Sequence, residues 1–119
     1  MNLKECYRKL GGDYDEVLTR LYSEDMIRRF LIKFLNDGTY KLLLEKLEAQ
    51  DYQEAFRAAH TLKGVTANMG LTPLFDRVCA IVEPLRLGEA REDYPDMYRE
   101  IEDEFQRVEG LRDELSEVI

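Results

Sequence analysis

The chain has 119 residues, of which 45% are hydrophobic and 35% charged, and its formal net charge is -8. This length and composition favour one folded domain with a continuous core over a disordered chain. The negative charge argues against nucleic acid or an anionic membrane surface as the main partner, because both attract clustered Lys and Arg. No apolar stretch reaches the roughly 20 residues of a membrane span, and the start lacks a secretory signal, so we expect a cytoplasmic protein.

Capping signals divide the first half of the chain into helices. Asn2 and Asp13 are each followed three residues later by Glu, which predicts two short N-terminal helices, and Ser23 precedes a third apolar stripe of helical period. The turn-forming residues 36–38 interrupt this third helix, and Thr39 is predicted to cap its continuation. The first half therefore predicts two short accessory helices followed by a longer, interrupted one.

Three more helices are predicted in the second half. One begins at Asp51 and ends at Gly70, because glycine adopts the left-handed conformation that ends a helix at the least cost. The next begins with Thr72 as its cap and Pro73 at its first helical position. After a charged connection, a long final helix is predicted over about residues 95–118, with one narrow apolar stripe facing the core.

These elements predict an all-α fold, since no segment shows the period-two alternation of a strand. Short connections make successive amphipathic helices antiparallel neighbours, so we expect an antiparallel, up-and-down four-helix bundle with short accessory helices at the N-terminus. The whole chain, 1–119, is expected to be a single, monomeric, free-standing domain. Cys79 lies on the apolar side of its helix, which predicts a buried, reduced thiol.

The helix predicted over residues 51–70 has an unusual exposed face. Its core side is predicted to hold Ala55, Ala59, Leu62, Thr66 and Met69. At about 100° per residue, His60 then points roughly 150° away from the centre of that side, into solvent. An incidental surface histidine is the ordinary explanation for such a position, and the neighbours of His60 argue against it.

Residues three and four positions from His60 share its face of the helix. They are Phe56, Arg57, Lys63 and Gly64, with Ala67 one turn further along. Glycine in an exposed helix costs about 1 kcal/mol relative to alanine, so Gly64 is best explained if another molecule must approach the helix backbone closely. An aromatic ring, two cations and two small residues around the single histidine of the chain predict a docking surface.

A neutral imidazole is a nucleophile near physiological pH, and it can hold a phosphoryl group that a carboxylate later removes. Such transfer needs mainly positioning and charge compensation from the protein. Lys63 can reach the phosphoryl oxygens from one turn away, and Arg57 can add a second, weaker cation. No His or carboxylate side chains occupy the positions beside His60, so no metal site is predicted there.

The segment His60-Thr61-Leu62-Lys63-Gly64, preceded by Ala58-Ala59 and followed by Ala67-Asn68-Met69-Gly70-Leu71, resembles the signature of histidine-containing phosphotransfer (HPt) domains of bacterial phosphorelays. The similarity covers about residues 24–88. A small residue, often Ser, commonly follows the glycine in these proteins, whereas this chain has Val65-Thr66. Because Val65 is predicted to face away from His60, the departure concerns partner preference rather than chemistry.

The resemblance implies that His60 accepts the phosphoryl group through Nε2, that Lys63 supports this group and that Gly64 admits a receiver domain. It implies receiver domains of response regulators or hybrid histidine kinases as partners. These would supply the aspartate and Mg²⁺, so the chain would need no metal or cofactor of its own. The surface that binds the partner is predicted to include Phe56, Arg57, Ala67 and Asn68.

The expected function is that of a phosphorelay intermediate, which passes phosphoryl groups between receivers and is not an enzyme. The sequence contains no glycine-rich loop of the kinds that bind nucleotide phosphates, so autonomous kinase activity is not expected. Two alternatives stay open. One is a helical adaptor that binds a receiver-like partner without phosphate, and the other is a substrate domain that an ATP-dependent histidine kinase domain phosphorylates directly.

Overall fold

The computed structural model describes residues 2–115, and every regular element in this range is an α-helix. The N-terminal half contains α1 (Leu3–Leu10), α2 (Tyr14–Leu21), α3 (Glu24–Asn36) and α4 (Thr39–Glu48). The C-terminal half contains α5 (Tyr52–Asn68), α6 (Thr72–Arg86), α7 (Tyr94–Glu109) and the single turn α8 (Arg112–Leu115). The predicted all-α class is confirmed, and no helix in the described range has the length and apolar character needed to cross a membrane.

Local capping chemistry places four of the helix starts. The side chains of Asn2, Asp13, Ser23 and Asp51 each accept a hydrogen bond from the backbone N–H three residues ahead. Each bond satisfies a donor that the first helical turn leaves without a partner inside the helix. The sequence predicted all four caps, and they are confirmed.

Two other predicted caps are wrong. Thr39 is the first residue of α4 rather than its cap, and its backbone N–H donates to Asp37 Oδ1 at 2.8 Å. Thr72 is likewise the first residue of α6, and Leu71 precedes it without a side-chain cap. Asp37 supplies the acceptor instead, because it lies two residues before Thr39 and its carboxylate accepts from both the backbone N–H and the hydroxyl of Thr39.

The prediction of one long helix over about residues 95–118 is also wrong, because α7 ends at Glu109. Gly110 disfavours the helix, and the Leu111 N–H turns back to the Val108 carbonyl at 3.0 Å. The chain then starts α8, whose Leu115 is fully buried. The break thus lets the end of the described chain reach the core, while Val118, which the prediction included, lies outside the described residues.

The helices from α4 onward pack in chain order: α4 lies against α5, α5 against α6 and α6 against α7. Tyr40 of α4 also reaches α7, since its ring stacks on those of Tyr98 and Phe105 at centroid distances of 5.3 and 4.0 Å. Elsewhere α2 packs on α3, and α8 packs on both α1 and α3. Helix α5 therefore has neighbours on two sides and an exposed third side.

The N-terminal helices are joined to the end of α5. The buried Tyr7 hydroxyl donates to the Met69 carbonyl at 2.7 Å, and the Asp13 N–H donates to the Gly70 carbonyl at 3.0 Å. Gly70 has a φ of +63°, which confirms the left-handed helix end predicted there, and a Cβ at this position would collide with Val17. The accessory helices thus fix the point at which the chain leaves α5.

Candidate functional site

Helix α5 separates a core side from an exposed side as its sequence predicted. Ala55, Ala59, Leu62, Thr66 and Met69 are all buried, whereas His60 is exposed. Thr66 is the one polar member of the core side, and its hydroxyl donates to the Leu62 carbonyl at 2.8 Å, so no buried polar group is left without a partner here. The outward orientation of His60 therefore follows from where the apolar side chains of α5 must go.

The C-terminal end of α5 is held by a cation from another helix. Arg20 of α2 donates from Nη1 to the carbonyls of Ala67 and Asn68, at 3.2 and 2.6 Å. A guanidinium at this end satisfies carbonyls that have no partner inside the helix and interacts favourably with the helix dipole. Ala67 and Asn68 are exposed, so their side chains are accessible while their carbonyls are occupied.

Phe56 stacks on His60 within α5. The ring centroids lie 5.6 Å apart, and the ring planes differ by 29°. On α6, the Arg86 guanidinium carbon lies 5.2 Å from the centroid of the Phe56 ring, and Arg86 also pairs with Glu83 at 3.5 Å. Phe56 is half-buried, between the core edge and the exposed face, so it touches both.

The two cations predicted beside His60 differ in their partners. Arg57 forms an ion pair with Glu54 of its own helix, at 3.1 Å between Nη1 and Oε1. Lys63 is half-buried and forms no ion pair within residues 2–115. The Lys63 ammonium is therefore the cation of this face that is available to an incoming anion, whereas the charge of Arg57 is already partly compensated.

The pKa of the Cys79 thiol on α6 reflects its burial and the charge of Lys63. Burial raises the pKa of the Cys79 thiol above its usual value, and the positive charge of Lys63 acts in the opposite direction. Cys79 itself is half-buried, so the prediction of a buried thiol is wrong for this residue, while Cys6 is fully buried.

Gly64 leaves open space on the exposed face. An ideal Cβ built on Gly64 would have no atom within 4 Å among the residues that the structure describes, its two chain neighbours and its own helix backbone aside. The backbone here is ordinary α-helix, and Gly64 is not among the residues with positive φ. Neither a close contact nor the backbone conformation inside the protein requires glycine at this position.

A groove of about 450 Å³ adjoins this face on the side of α3 and α4. Thr61 and Asn68 of α5 lie along its rim, and its apolar lining includes Leu21, Phe30, Phe34, Tyr40, Leu62 and Val65. Phe30 is 39% exposed, which is unusual for a phenylalanine in a small domain. Exposed apolar surface that is continuous with a polar face is typical of sites that bind other proteins.

Sequence reasoning did not find Arg20, Arg86 or the groove. All three depend on how α5 is aligned with helices distant in the chain, and periodicity within one helix carries no information about that alignment. Phe30 continues the apolar stripe of α3, and this pattern predicts a core position for it. The partial exposure of Phe30 could not be predicted from that pattern.

These features define a helical protein that presents a nucleophilic side chain on an open face, where a macromolecular partner can reach it. Within residues 2–115, no group of three or more His, Cys, Asp or Glu side chains is arranged to hold a metal ion. His60 thus stands without metal-binding neighbours in the described part of the chain.

The family model of the Hpt domain matches residues 31–118. No curated protein and no solved structure matches the chain significantly. Since the match covers well over half of the sequence, the chain belongs to the Hpt domain family, and the resemblance inferred from the sequence is confirmed. Membership implies a histidine phosphotransfer role in two-component phosphorelays, as a carrier that interacts with receiver domains and not as an autonomous kinase.

Proposed function

We propose that this protein is a phosphorelay intermediate that accepts a phosphoryl group on His60 from a receiver-domain aspartate and passes it to another receiver. The observation that carries the proposal is the exposed imidazole of His60 beside the open backbone at Gly64. An exposed nucleophile next to free space suits attack on a phosphoryl group that is held in the active site of another protein.

The transfer exchanges one bond for another. The Nε2 lone pair of His60 attacks phosphorus, the N–P bond forms, and the P–O bond to the aspartate breaks, so that the carboxylate leaves with the bonding electron pair. No water enters, and no proton moves in this step when Nε2 is unprotonated at the start. The reverse exchange with a second aspartate removes the group, so transfer is reversible and stoichiometric.

Lys63 and Gly64 have separate roles in this proposal. The ammonium of Lys63 compensates the charge of the phosphoryl oxygens, which is supported by its position one turn from His60 and by its lack of an ion pair in the described chain. Gly64 leaves room for the receiver's active site. Mg²⁺ is expected on the receiver, and we assign no cofactor to this chain.

The docking surface is proposed to extend from this face into the groove beside α5. Phe56, Arg57, Ala67 and Asn68 surround His60 on α5, and the partly exposed Phe30 continues the surface across the groove. A receiver needs more contact area than the exposed face of one helix offers, and the apolar lining of the groove supplies the kind of surface that protein interfaces bury at their centre.

We further propose that α4, α5, α6 and α7 form an antiparallel four-helix bundle in a single, monomeric, cytoplasmic domain. Their packing in chain order through short connections supports this arrangement, and so does the stacking of Tyr40 on the rings of α7. Helices α1 and α2 would then be accessory elements at one end.

The proposal is tested by incubating wild-type protein and the variant His60→Gln with a phosphorylated receiver and following acid-labile label. We expect label on the wild type and none on His60→Gln. The receiver should bind both proteins. Label on His60→Gln at the wild-type level would refute the assignment of His60.

Receiver binding and labelling by a kinase domain, measured on the same two proteins, separate the two alternatives. Equal receiver affinity of wild type and His60→Gln, with no label on either, would favour the adaptor. Label that arrives from ATP and a histidine kinase domain, without any receiver, would favour the directly phosphorylated substrate domain.

A further inference from the structure

Phe56 and His60, one turn apart on α5, form a ring contact on its exposed face. An exposed side chain normally moves between several rotamers, and fixing one of them costs free energy each time that a precise geometry is needed. Here the Phe56 ring lies beside the imidazole in a near-parallel, offset arrangement, with centroids 5.6 Å apart and planes that differ by 29°. The imidazole plane is therefore restrained before any partner arrives.

The stack restrains the imidazole without blocking its chemistry. Both ring nitrogens of His60 lie on the edge of the ring, and their lone pairs or protons lie in the ring plane. A neighbour beside a ring face leaves this edge free, so the contact restrains the ring plane without itself occupying Nε2. A near-parallel aromatic contact is thus compatible with nucleophilic attack, in contrast to a hydrogen bond that would occupy the same nitrogen.

Arg86 holds the stack from α6. Its guanidinium carbon lies 5.2 Å from the Phe56 centroid, within the range of a cation–π contact, and Glu83 pairs with the guanidinium at 3.5 Å. Phe56 is also packed against the hydrophobic core. The ring beside His60 is therefore itself held by a second helix and by the core, which a lone exposed aromatic would not be.

We propose that Phe56 is a positioning residue for the phosphoacceptor, holding the imidazole plane of His60 so that Nε2 is presented in one direction, with Arg86 keeping Phe56 in place. This inference rests on the proposed function, and it assigns to Phe56 a role on His60 itself rather than only in partner contact. A positioning role acts on every phosphoryl donor, whereas a contact role acts only on donors that are proteins.

The test compares Phe56→Leu with Phe56→Tyr, using phosphoramidate as a small donor and a phosphorylated receiver as a protein donor. Leucine keeps an apolar side chain but loses the flat ring, while tyrosine keeps the ring. We expect Phe56→Leu to slow label formation from both donors by a similar factor, about two- to tenfold, which is the range that an aromatic pair contributes. Phe56→Tyr should form label from both donors at the wild-type rate.

Arg86→Gln has a matched control in Arg99→Gln. Arg99 forms an ion pair with Asp96 three residues away on α7, at 3.4 Å, and is exposed as Arg86 is. We expect Arg86→Gln to slow labelling from both donors, by less than Phe56→Leu does, and Arg99→Gln to leave the rate unchanged. All rates are measured well below each variant's thermal midpoint, so that partial unfolding does not contribute.

A structural readout accompanies the rates. In solution NMR, the ring protons of His60 should be shifted upfield by the Phe56 ring current in wild type and in Phe56→Tyr, and should move downfield in Phe56→Leu. Unshifted His60 protons in the wild type would overturn the inference whatever the rates are.

The outcomes separate this inference from the proposed function. Label on the wild type with an unchanged phosphoramidate rate in Phe56→Leu would overturn the positioning role alone, and a loss confined to the receiver would identify Phe56 as a partner contact instead. A wild type that neither donor labels would refute the proposed function and this inference together.

Discussion

Gly64 lies one helical turn from His60 on the exposed face of α5, and in the described residues no atom beyond its own helix backbone comes within 4 Å of where its Cβ would be. Gly70, at the end of the same helix, is the opposite case, since its φ of +63° and the nearby Val17 both exclude a side chain. One glycine is thus required by the fold, and the other is left unexplained by it. That contrast makes Gly64 a point at which stability and function can be separated.

We predict that Gly64→Ala stabilises the protein and impairs its function. Alanine removes the helix penalty of glycine and meets no neighbouring atom, so the free energy of unfolding should rise by about 0.5–1 kcal/mol in urea titrations. Label transfer from a phosphorylated receiver should slow, and Gly64→Leu should slow it further, because each added atom fills space that the receiver needs.

Phosphoramidate is the control donor for these two variants, because it is too small to be excluded. Its labelling rate should stay at the wild-type level in Gly64→Ala. A destabilised Gly64→Ala would show that glycine serves the fold here, and receiver transfer at the wild-type rate in Gly64→Leu would show that no partner approaches this backbone.

We predict that Lys63→Ala slows phosphoryl transfer without unfolding the protein. Hydrogen bonds to charged groups contribute about 1.5–3 kcal/mol, so the rate should fall on the order of tenfold to 100-fold. The rate of label formation from phosphoramidate measures the effect. Lys46→Ala is the control, because Lys46 on α4 is also half-buried and should leave the rate unchanged. Equal rates for Lys63→Ala and wild type would remove Lys63 from the site.

We predict that Tyr7→Phe destabilises the junction between α1 and α5. The Tyr7 hydroxyl is the buried partner of the Met69 carbonyl at 2.7 Å, and its loss leaves that carbonyl without a hydrogen bond, at a cost of about 1–3 kcal/mol. Burial raises the pKa of the Tyr7 hydroxyl above its usual value, so it remains a donor even at alkaline pH where a free phenol ionises.

Chemical denaturation measures the cost, with Tyr52→Phe as the control. Tyr52 is a half-buried tyrosine at the start of α5. The free energy of unfolding of Tyr52→Phe should stay within about 0.5 kcal/mol of the wild-type value. Equal stability of Tyr7→Phe and Tyr52→Phe would mean that the hydrogen bond to Met69 contributes nothing net.

We predict that Asp37, and not Thr39, is the residue whose side chain caps α4. Asp37→Ala should cost about 0.5–2 kcal/mol, because the Thr39 N–H then loses its acceptor, and Thr39→Ala should cost less, because that N–H remains capped. A larger loss in Thr39→Ala than in Asp37→Ala would restore the assignment made from the sequence.

The contribution of Asp37 should also depend on pH. Hydrogen bonds from the Thr39 hydroxyl and N–H lower the pKa of the Asp37 carboxyl below its usual value. A carboxyl whose pKa is lower in the folded state stabilises the protein fully above its unfolded pKa of about 3.9, and this contribution is lost as the pH falls through the folded value. The stability difference between wild type and Asp37→Ala should therefore shrink below about pH 4, and a difference that is independent of pH would contradict this account.

Much of the fold could be predicted from local signals. Side chains such as Ser23 and Asp51 cap helices through the N–H three residues ahead, and that interaction needs no tertiary contact. Where prediction failed, at Thr39, the side-chain acceptor for the first N–H of α4 is Asp37, two residues before it rather than three. At Gly110 the apolar period continues in the sequence, but the backbone leaves the helix, and Leu115 is buried from the separate turn α8.

The sequence by itself determined that α5 turns His60 outward, since apolar residues on its other side leave no alternative orientation, and it placed Lys63 and Gly64 one turn away. Only the tertiary structure decided what covers and supports that face. The stack from Arg86 through Phe56 to His60 and the groove that reaches Phe30 depend on the alignment of α5 with other helices. That alignment is set by side chains packing between helices, which the spacing within any one helix does not encode.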